Sequence, residues 1–371
     1  MINTEVSMKY IVVSLMSVFT LTNVYGQLAM DADQAVVSQR ATLRVMPTYQ
    51  RWTLDNASFS EASSVLTWYQ PLSAEASLSL RSAYGVVSGD VTSLRGFTDL
   101  QLSGTYYIES ADLVFSLGVG IPSGKKKLTF NEFLTSALLA SNTLRPLIPN
   151  FGTGLTLSPS IAWALPLSDE VVAGLGALVL YRGEFSPLAD TLRYDPGEEV
   201  SFTGGIDLQL GESASLSADV VYSVYGTDKT FGRDLLTPGK KLLATLQFQH
   251  YFDADRLLFF LTFRTRAKAE FSNLIPQLAS RIEPNQIELI GAYSAHFSQS
   301  FAMQFLLEGR FFQATSTLLS GFDLVGVGIM PEFRLSETVS LPLHAKLVYG
   351  SSAVSGTLRQ IEAGLGVAIN Y

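Results

Sequence analysis

The chain has 371 residues, a formal net charge of −8 and 16% charged against 47% hydrophobic side chains, with a mean hydropathy of +0.25. The acidic balance and the lack of a basic stripe exclude a nucleic-acid partner. The lack of cysteine excludes disulfides, thiolate metal sites, a cysteine nucleophile and a lipidated N-terminal cysteine. Past residue 30 there is no run of about 20 apolar residues, so no transmembrane helix is expected. A chain that is apolar on average but never continuously so fits a membrane β-barrel, whose lipid-facing and lumen-facing residues alternate.

In chain order, the first element is MKYIVVSLMSVFTLTNVYGQ, from Met8. Lys9 precedes an apolar core over Tyr10 to Leu21, and Val24-Tyr25-Gly26 supplies a cleavage site before Gln27. This predicts a secretory signal peptide over residues 1–26, with the first seven as an over-extended start. Residues 27–41 are polar and read as a periplasmic segment. The barrel is expected over residues 42–371.

From Thr42 onward, two-faced segments recur. Leu78, Leu80, Ser82, Tyr84 and Val86 oppose Ser77, Ser79, Arg81, Ala83 and Gly85. Leu113, Phe115, Leu117, Val119 and Ile121 oppose Ser116, Gly118 and Gly120. The last segment places Ile361, Ala363, Leu365, Val367, Ile369 and Tyr371 opposite Glu362, Gly364, Gly366, Ala368 and Asn370. Period two is the mark of a strand with unlike faces. Short connections such as PLSAE (71–75), PLSDE (166–170) and LSET (335–338) alternate with longer ones rich in Gly, Pro and charge. Short turns on the periplasmic rim and long loops outside are the outer-membrane pattern. The count is about sixteen strands in an antiparallel up-and-down barrel, with both ends on the periplasmic side. The pair over 42–53 and 62–70 is the weakest; without it the count is fourteen. The final strand must close against the first, with Tyr371 at the inner membrane–water interface. Its terminal aromatic resembles the signal that outer-membrane proteins present to the barrel assembly machinery.

The third outer connection, about 122–151, is the longest. It opens with Lys125, Lys126 and Lys127, continues as a helical pattern with Phe130, Phe133, Leu134, Leu138 and Leu139 behind an Asn131 cap, and closes with Arg145, Pro146 and Pro149. Long apolar loops are usually functional, and this one is expected to fold inward as a constriction. The competing reading is an outer cap or a packing surface. Parity assigns to the lumen Arg44, Arg81, Asp99, Asp207, Asp219, Arg264, Arg266, Lys268, Glu270, Glu288, Glu308, Arg310, Glu332, Arg334, His344, Lys346, Arg359 and Glu362. These charges either polarise a pore or pair across strands to hold the wall. Arg264, Arg266 and Lys268 are the best selectivity candidates.

GFTDLQLSGTYYI (96–108), SLGVGIPSGKKK (116–127) and NFGTGLTLSPSIAWALPLSDEVVAGLGALVLYRGE (150–184) form a theme: a Gly-x-x-Asp strand, then Pro-Ser-Gly, then a Gly-Thr-Gly strand. That order resembles outer-membrane channels associated with phenol meta-pathway degradation and, more loosely, FadL-type and porin barrels. The resemblance implies a passive route for small solutes, aromatic or lipophilic ones among them. Outer-membrane lipid and the permeant are the expected partners, with no cofactor and no enzymatic activity. No catalytic, cofactor or metal constellation stands out in the residues. Only His250, His296 and His344 could serve as imidazole bases, and parity turns His250 toward lipid beside Tyr251. Two alternatives remain open: a plugged structural or adhesive barrel, and a barrel hydrolase. Monomer and trimer are equally open.

Overall fold

A computed structural model describes residues 40–55, 57–188, 192–271, 283–315, 320–352 and 356–371. The expected signal peptide, nearly all of the segment 27–41 and most of the connection around Ser272–Asn285 lie outside the described residues.

Sixteen antiparallel strands form one closed barrel: β1 (Thr42–Leu54), β2 (Ala57–Pro71), β3 (Ala76–Gly89), β4 (Leu94–Phe97 and Leu100–Ile108), β5 (Leu113–Ile121), β6 (Thr156–Pro166), β7 (Val171–Arg182), β8 (Glu199–Gln209), β9 (Ala214–Tyr225), β10 (Lys241–Phe252), β11 (Asp255–Arg266), β12 (Gln286–Ser298), β13 (Phe301–Phe312), β14 (Phe322–Arg334), β15 (Val339–Ser352) and β16 (Gly356–Leu365 and Val367–Asn370). The pair that the sequence left weakest is present as β1 and β2, which run in register from Thr42↔Tyr69 to Leu54↔Ala57. β16 closes on β1 with Thr42 opposite Asn370 and Thr48 opposite Gly364. The Ala41 amide donates to the Tyr371 carbonyl at 3.0 Å and the Tyr371 amide returns a bond at 2.9 Å. Every unpaired backbone group left in lipid would cost several kcal/mol, which is why the sheet must have no edge. Among the described residues no helix is long and apolar enough to cross a membrane; the crossing is made by strands.

Pairing fixes the faces. The outward row of β16 meets those of β1 and β15, and Ile361 and Leu365 stand 54% and 53% exposed while Gln360 and Glu362 between the same strands are buried. This exposed apolar surface runs round the barrel and can only face lipid. Aromatic rings mark both of its borders. Tyr106, Trp163, Tyr293, Phe333 and Tyr371 stand toward the short-turn rim, and Tyr49, Tyr84, Tyr181, Tyr222 and Tyr349 toward the other. The Trp68 indole N–H donates to the Tyr371 hydroxyl at 2.9 Å, tying β2 to the last residue.

One turn chemistry recurs on the short rim. Leu72, Leu167, Leu210 and Leu335 each donate from the backbone to the carbonyl four residues on. In three of these turns a serine hydroxyl accepts the returning amides: Ser73 from Ala76, Ser168 from Glu170 and Ser336 from Val339. The opposite rim is less loop-like than its sequence suggests. The first outer connection is only residues 55–56, and Leu94–Phe97 still pairs with β3. Residues Phe185–Leu188, Leu192–Asp195, Asp228–Thr230, Arg233–Thr237 and Glu270–Phe271 build a separate five-stranded sheet above the barrel. In it the Tyr194 hydroxyl donates to Asp228 at 2.5 Å. Burial and the Asp228 carboxylate together push the Tyr194 phenol well above its usual range.

Candidate functional site

The third outer connection runs from residue 122 to 155 and joins β5 to β6. Its helix, α1 (Phe130–Leu139), is where the apolar spacing predicts one. The cap is Thr129, not Asn131. The Thr129 hydroxyl accepts from the Glu132 amide, and the Glu132 carboxylate accepts from the Thr129 amide at 2.9 Å. A capping box needs its two members three residues apart, and Thr129 and Glu132 meet that condition. Lys125 Nζ adds a 2.5 Å bond to Glu132. The five-residue apolar row is split. Leu139 is buried and Phe133 and Leu138 pack against the interior cluster, whereas Phe130 and Leu134 are exposed.

The two feet of this connection meet on one carboxylate. Asp99 Oδ1 accepts from the Gly124 amide at 2.9 Å and Oδ2 from the Thr153 amide at 2.7 Å. The Lys125 amide donates to the Phe151 carbonyl at 3.1 Å. Gly124 has no alternative here, because a Cβ would lie 2.0 Å from the Phe151 oxygen. The Gly-x-x-Asp, Pro-Ser-Gly and Gly-Thr-Gly elements noted in the sequence are therefore one structure, the base of the long connection.

Residues 143–151 pack against inward side chains from distant strands. The Trp52 indole on β1 donates to the Leu144 carbonyl at 2.9 Å. Gln50, two residues earlier, donates to the Arg145 carbonyl at 3.4 Å and accepts from the Leu147 amide at 3.2 Å. Arg310 on β13 donates to the Thr143 carbonyl at 3.0 Å. Arg145, which has a left-handed backbone (φ 51°), makes a two-pronged ion pair with Glu288 on β12. Leu144, Ile148 and Phe151 join Trp52, Val87, Phe322 and Leu358 in a wholly buried cluster. Leu128 makes a further tie outward, its amide donating to the Pro187 carbonyl at the edge of the outer sheet.

The inward charges fall into separate groups. Glu362 on β16 has His344 Nε2 at 3.2 Å and Lys346 Nζ at 3.3 Å, and accepts from Gln50 at 2.8 Å. Arg310 lies 3.3 Å from Glu308 and is wholly buried. On the opposite wall Glu199 is met by Arg182 at 3.0 Å and Lys241 at 3.2 Å, and the Arg266 guanidinium stands 4.5 Å above the Tyr225 ring. Arg266 also pairs with Glu283, and Arg264 is buried in the same inward row.

Not every residue assigned to the lumen faces it. Arg359 pairs with Tyr349 in the outward row and is exposed. Lys268 and Glu270 lie beyond the end of β11, exposed in the outer connection. Lys126 is half-buried and Lys127 exposed near the mouth. Gln50, Trp52 and Glu61, which complete the inward surface of β1 and β2, were not singled out by charge or spacing. The histidines occupy three separate settings. His250 is outward between Phe248 and Phe252, His296 stands near Asp255 by a periplasmic turn, and His344 is inward on Glu362.

No protein-family model and no curated protein matches the chain. Solved structures do. CdiB from Acinetobacter baumannii aligns with a TM-score of 0.50 at 10% identity, over 90% of this chain and 60% of that one. OprB of Pseudomonas putida aligns with a TM-score of 0.49 at 8% identity, over 93% and 97% of the two chains. The CymD monoaromatic hydrocarbon channel aligns with a TM-score of 0.47 at 9% identity, over 94% of each. At these identities the likeness is one of fold. The even strand number, the asymmetric rims and the apolar outer belt make this chain a bacterial outer-membrane β-barrel.

Proposed function

We propose that the protein is an outer-membrane channel for passive uptake of small solutes, aromatic or lipophilic ones among them, with the connection 122–151 folded inward as its constriction. The observation that carries this reading is the interlock of residues 143–148 with Gln50, Trp52, Glu288 and Arg310. A loop that merely capped the barrel would have no need of four inward side chains from three strands.

The interlock is one-sided. The buried apolar cluster is built on β1–β4 and β13–β16. The inward rows of β7–β11 carry Arg182, Glu199, Tyr225, Lys241, Arg264 and Arg266 instead. The solute path then runs along this second wall. At its outer end the described charges are four cations against Glu199 and Glu283, which favours anionic solutes at the entrance, and the Tyr225 ring offers an aromatic contact; deeper along the same wall stand Asp207, Asp219 and Arg256. Lys125, Lys126, Lys127, Phe130 and Phe133 stand near the mouth, and Glu308 and Arg310 in the fixed wall. The protein acts without a catalytic group of its own.

Single-channel conductance of the refolded, signal-free protein in planar bilayers tests the reading. Stable open steps with anion preference are expected, and Arg264→Gln with Arg266→Gln should weaken that preference. Because Lys125 and Phe151 are hydrogen-bonded, residues 127–149 can be replaced by a short Gly-Ser linker without moving β5 or β6, and conductance should rise. A folded barrel that never conducts, with or without the replacement, would sink the channel reading. The second reading, a plugged structural barrel, draws on the complete burial of Trp52, Ile148 and Arg310. It predicts silence in the native chain and opening only after the replacement.

A further inference from the structure

We propose that Arg51 and Arg359 together bind a phosphate group of an outer-leaflet glycolipid on the outside of the barrel, across the β1–β16 closure. The outward row of β1 reads Leu43, Val45, Pro47, Tyr49 and then Arg51; that of β16, read from the periplasmic end, is Tyr371, Ile369, Val367, Leu365, Ala363, Ile361 and then Arg359. Two rows that are apolar or aromatic over the lipid belt thus reach an arginine at the same rim, each followed by one threonine, Thr53 and Thr357. A charge on the lipid face is costly at the bilayer midplane and nearly free at the interface. Arg51 is the next outward residue after Tyr49, and Arg359 stands directly opposite Tyr349 with its guanidinium 5.9 Å from the ring. Both stand at the level of the outer aromatic girdle, where the headgroup layer begins.

The register brings the two together. Thr53 faces Arg359 and Arg51 faces Ile361, so the arginines are diagonal neighbours on one face of adjacent strands. Such positions lie about 7–8 Å apart at the backbone, within reach of long side chains. Two planar guanidinium forks at that spacing match a tetrahedral phosphate, which takes paired N–H donors from arginine. Both side chains are exposed, and no ion pair to either occurs among the described residues. Two acids of the same rim are held by backbone amides: Asp55 accepts from the Thr357 amide and Asp90 from the Ser58 amide. Arg95, opposite Val86 in the outward row of β3 and β4, adds a third cation to the same arc.

The rest of the circumference lacks this feature. At the outer ends of β7 to β13 the outward rows finish in Tyr181, Val200, Val224, Leu242, Thr265, Ile287 and Phe311, and that of β14 in Asp323. A general attraction to an anionic leaflet would spread cations round the belt. Arg51 and Arg359 stand at the one seam where the first and last strands meet, with Arg95 three strands along on β4. A lipid phosphate held there would bridge β1 to β16 from outside.

The test uses the full refolded barrel and two probes, diphosphorylated lipid A and the same lipid with its phosphates removed, scored as bound lipid per protein by native mass spectrometry. The wild-type protein should retain the phosphorylated lipid at least about tenfold better than the dephosphorylated one. Arg51→Gln with Arg359→Gln should abolish that difference, whereas Lys229→Gln with Arg233→Gln on the outer sheet should leave it. Equal retention of both lipids by the wild type would overturn the proposal without recourse to any variant. Undiminished discrimination by a heat-modifiable, folded Arg51→Gln, Arg359→Gln protein would overturn it as well.

Discussion

Removal of the Arg145 side chain is the sharpest probe of the interlock. Arg145 and Glu288 retain only 7% and 1% of their side-chain exposure and pair through two bonds. Arg145→Ala leaves Glu288 buried with only the cross-strand Arg310 charge to compensate it, at a cost of up to about 3–5 kcal/mol. The other polar ties of the segment include four hydrogen bonds, from Trp52, Gln50 (two) and Arg310. At about 1 kcal/mol net each they supply roughly 4 kcal/mol. One substitution therefore removes as much holding energy as all four. A shift of about 3–5 kcal/mol raises the undocked population of the segment between about a hundredfold and a few thousandfold. In single-channel recordings the native steps should give way to frequent larger openings. Arg145→Leu combined with Glu288→Leu removes both charges and should return the record toward native, since replacing a buried pair by apolar residues is nearly neutral. If Arg145→Ala conducts with native step size and native noise, the segment does not limit the path and the reasoning fails.

Asp99→Ala should free both feet of the long connection at once, losing two charge-assisted bonds of about 1.5–3 kcal/mol each; trypsin should then cut at Lys125 to Lys127 in a barrel that still shows folded mobility on gels, and unchanged resistance would contradict the anchor. The Glu132 carboxyl is subject to a burial effect that raises it, but the bonds from Lys125 and the Thr129 amide outweigh this and hold it below the usual range. A folded value depressed below the unfolded one gives stability that is complete above the ordinary glutamate range, near about 4.3, and is lost as pH falls through the lowered value. In this cysteine-free chain a spin label at Leu134→Cys should report α1 loosening only in that acid window, and Glu132→Gln should remove the transition; loosening near neutral pH would exclude the capping box as its cause. Deleting Tyr371 removes the paired backbone bonds to Ala41 and the Trp68 contact; assembly in cells should fall more than refolding into detergent micelles, and equal losses would argue that the residue closes the barrel without serving as an assembly signal.

Most of the barrel is legible because period two states which way each residue points, and lipid enforces that statement on every strand. The same rule explains the errors. Arg359 shares its parity with Ile361 and Tyr371, so the sequence already put it outside; its charge suggested the lumen, and charge was the weaker guide because a guanidinium is tolerated outward at the headgroup layer. Lys268 and Glu270 continue the parity of Arg264 and Arg266 but fall past the end of β11, where parity ceases to mean anything. The interlock was illegible for a different reason. Parity shows that Gln50, Glu288 and Arg310 point inward, but not that a loop 95, 143 and 167 residues away from them in sequence will meet them there. That meeting depends on where the loop's two feet stand, and Asp99 decides this by holding Gly124 and Thr153 together. With the feet pinned at the rim between β4 and β6, α1 packs toward the apolar inward residues of β1 to β4, and residues 143–148 reach β12 and β13. The apolar inward residues follow from this placement. Val65, Val87, Leu324 and Leu358 would be misplaced in a water-filled tube, and each is buried in the cluster that receives the loop. A binary reading of the inward rows, polar for a solute path and apolar for a docking surface, would have located the loop's seat from sequence before any contact was known.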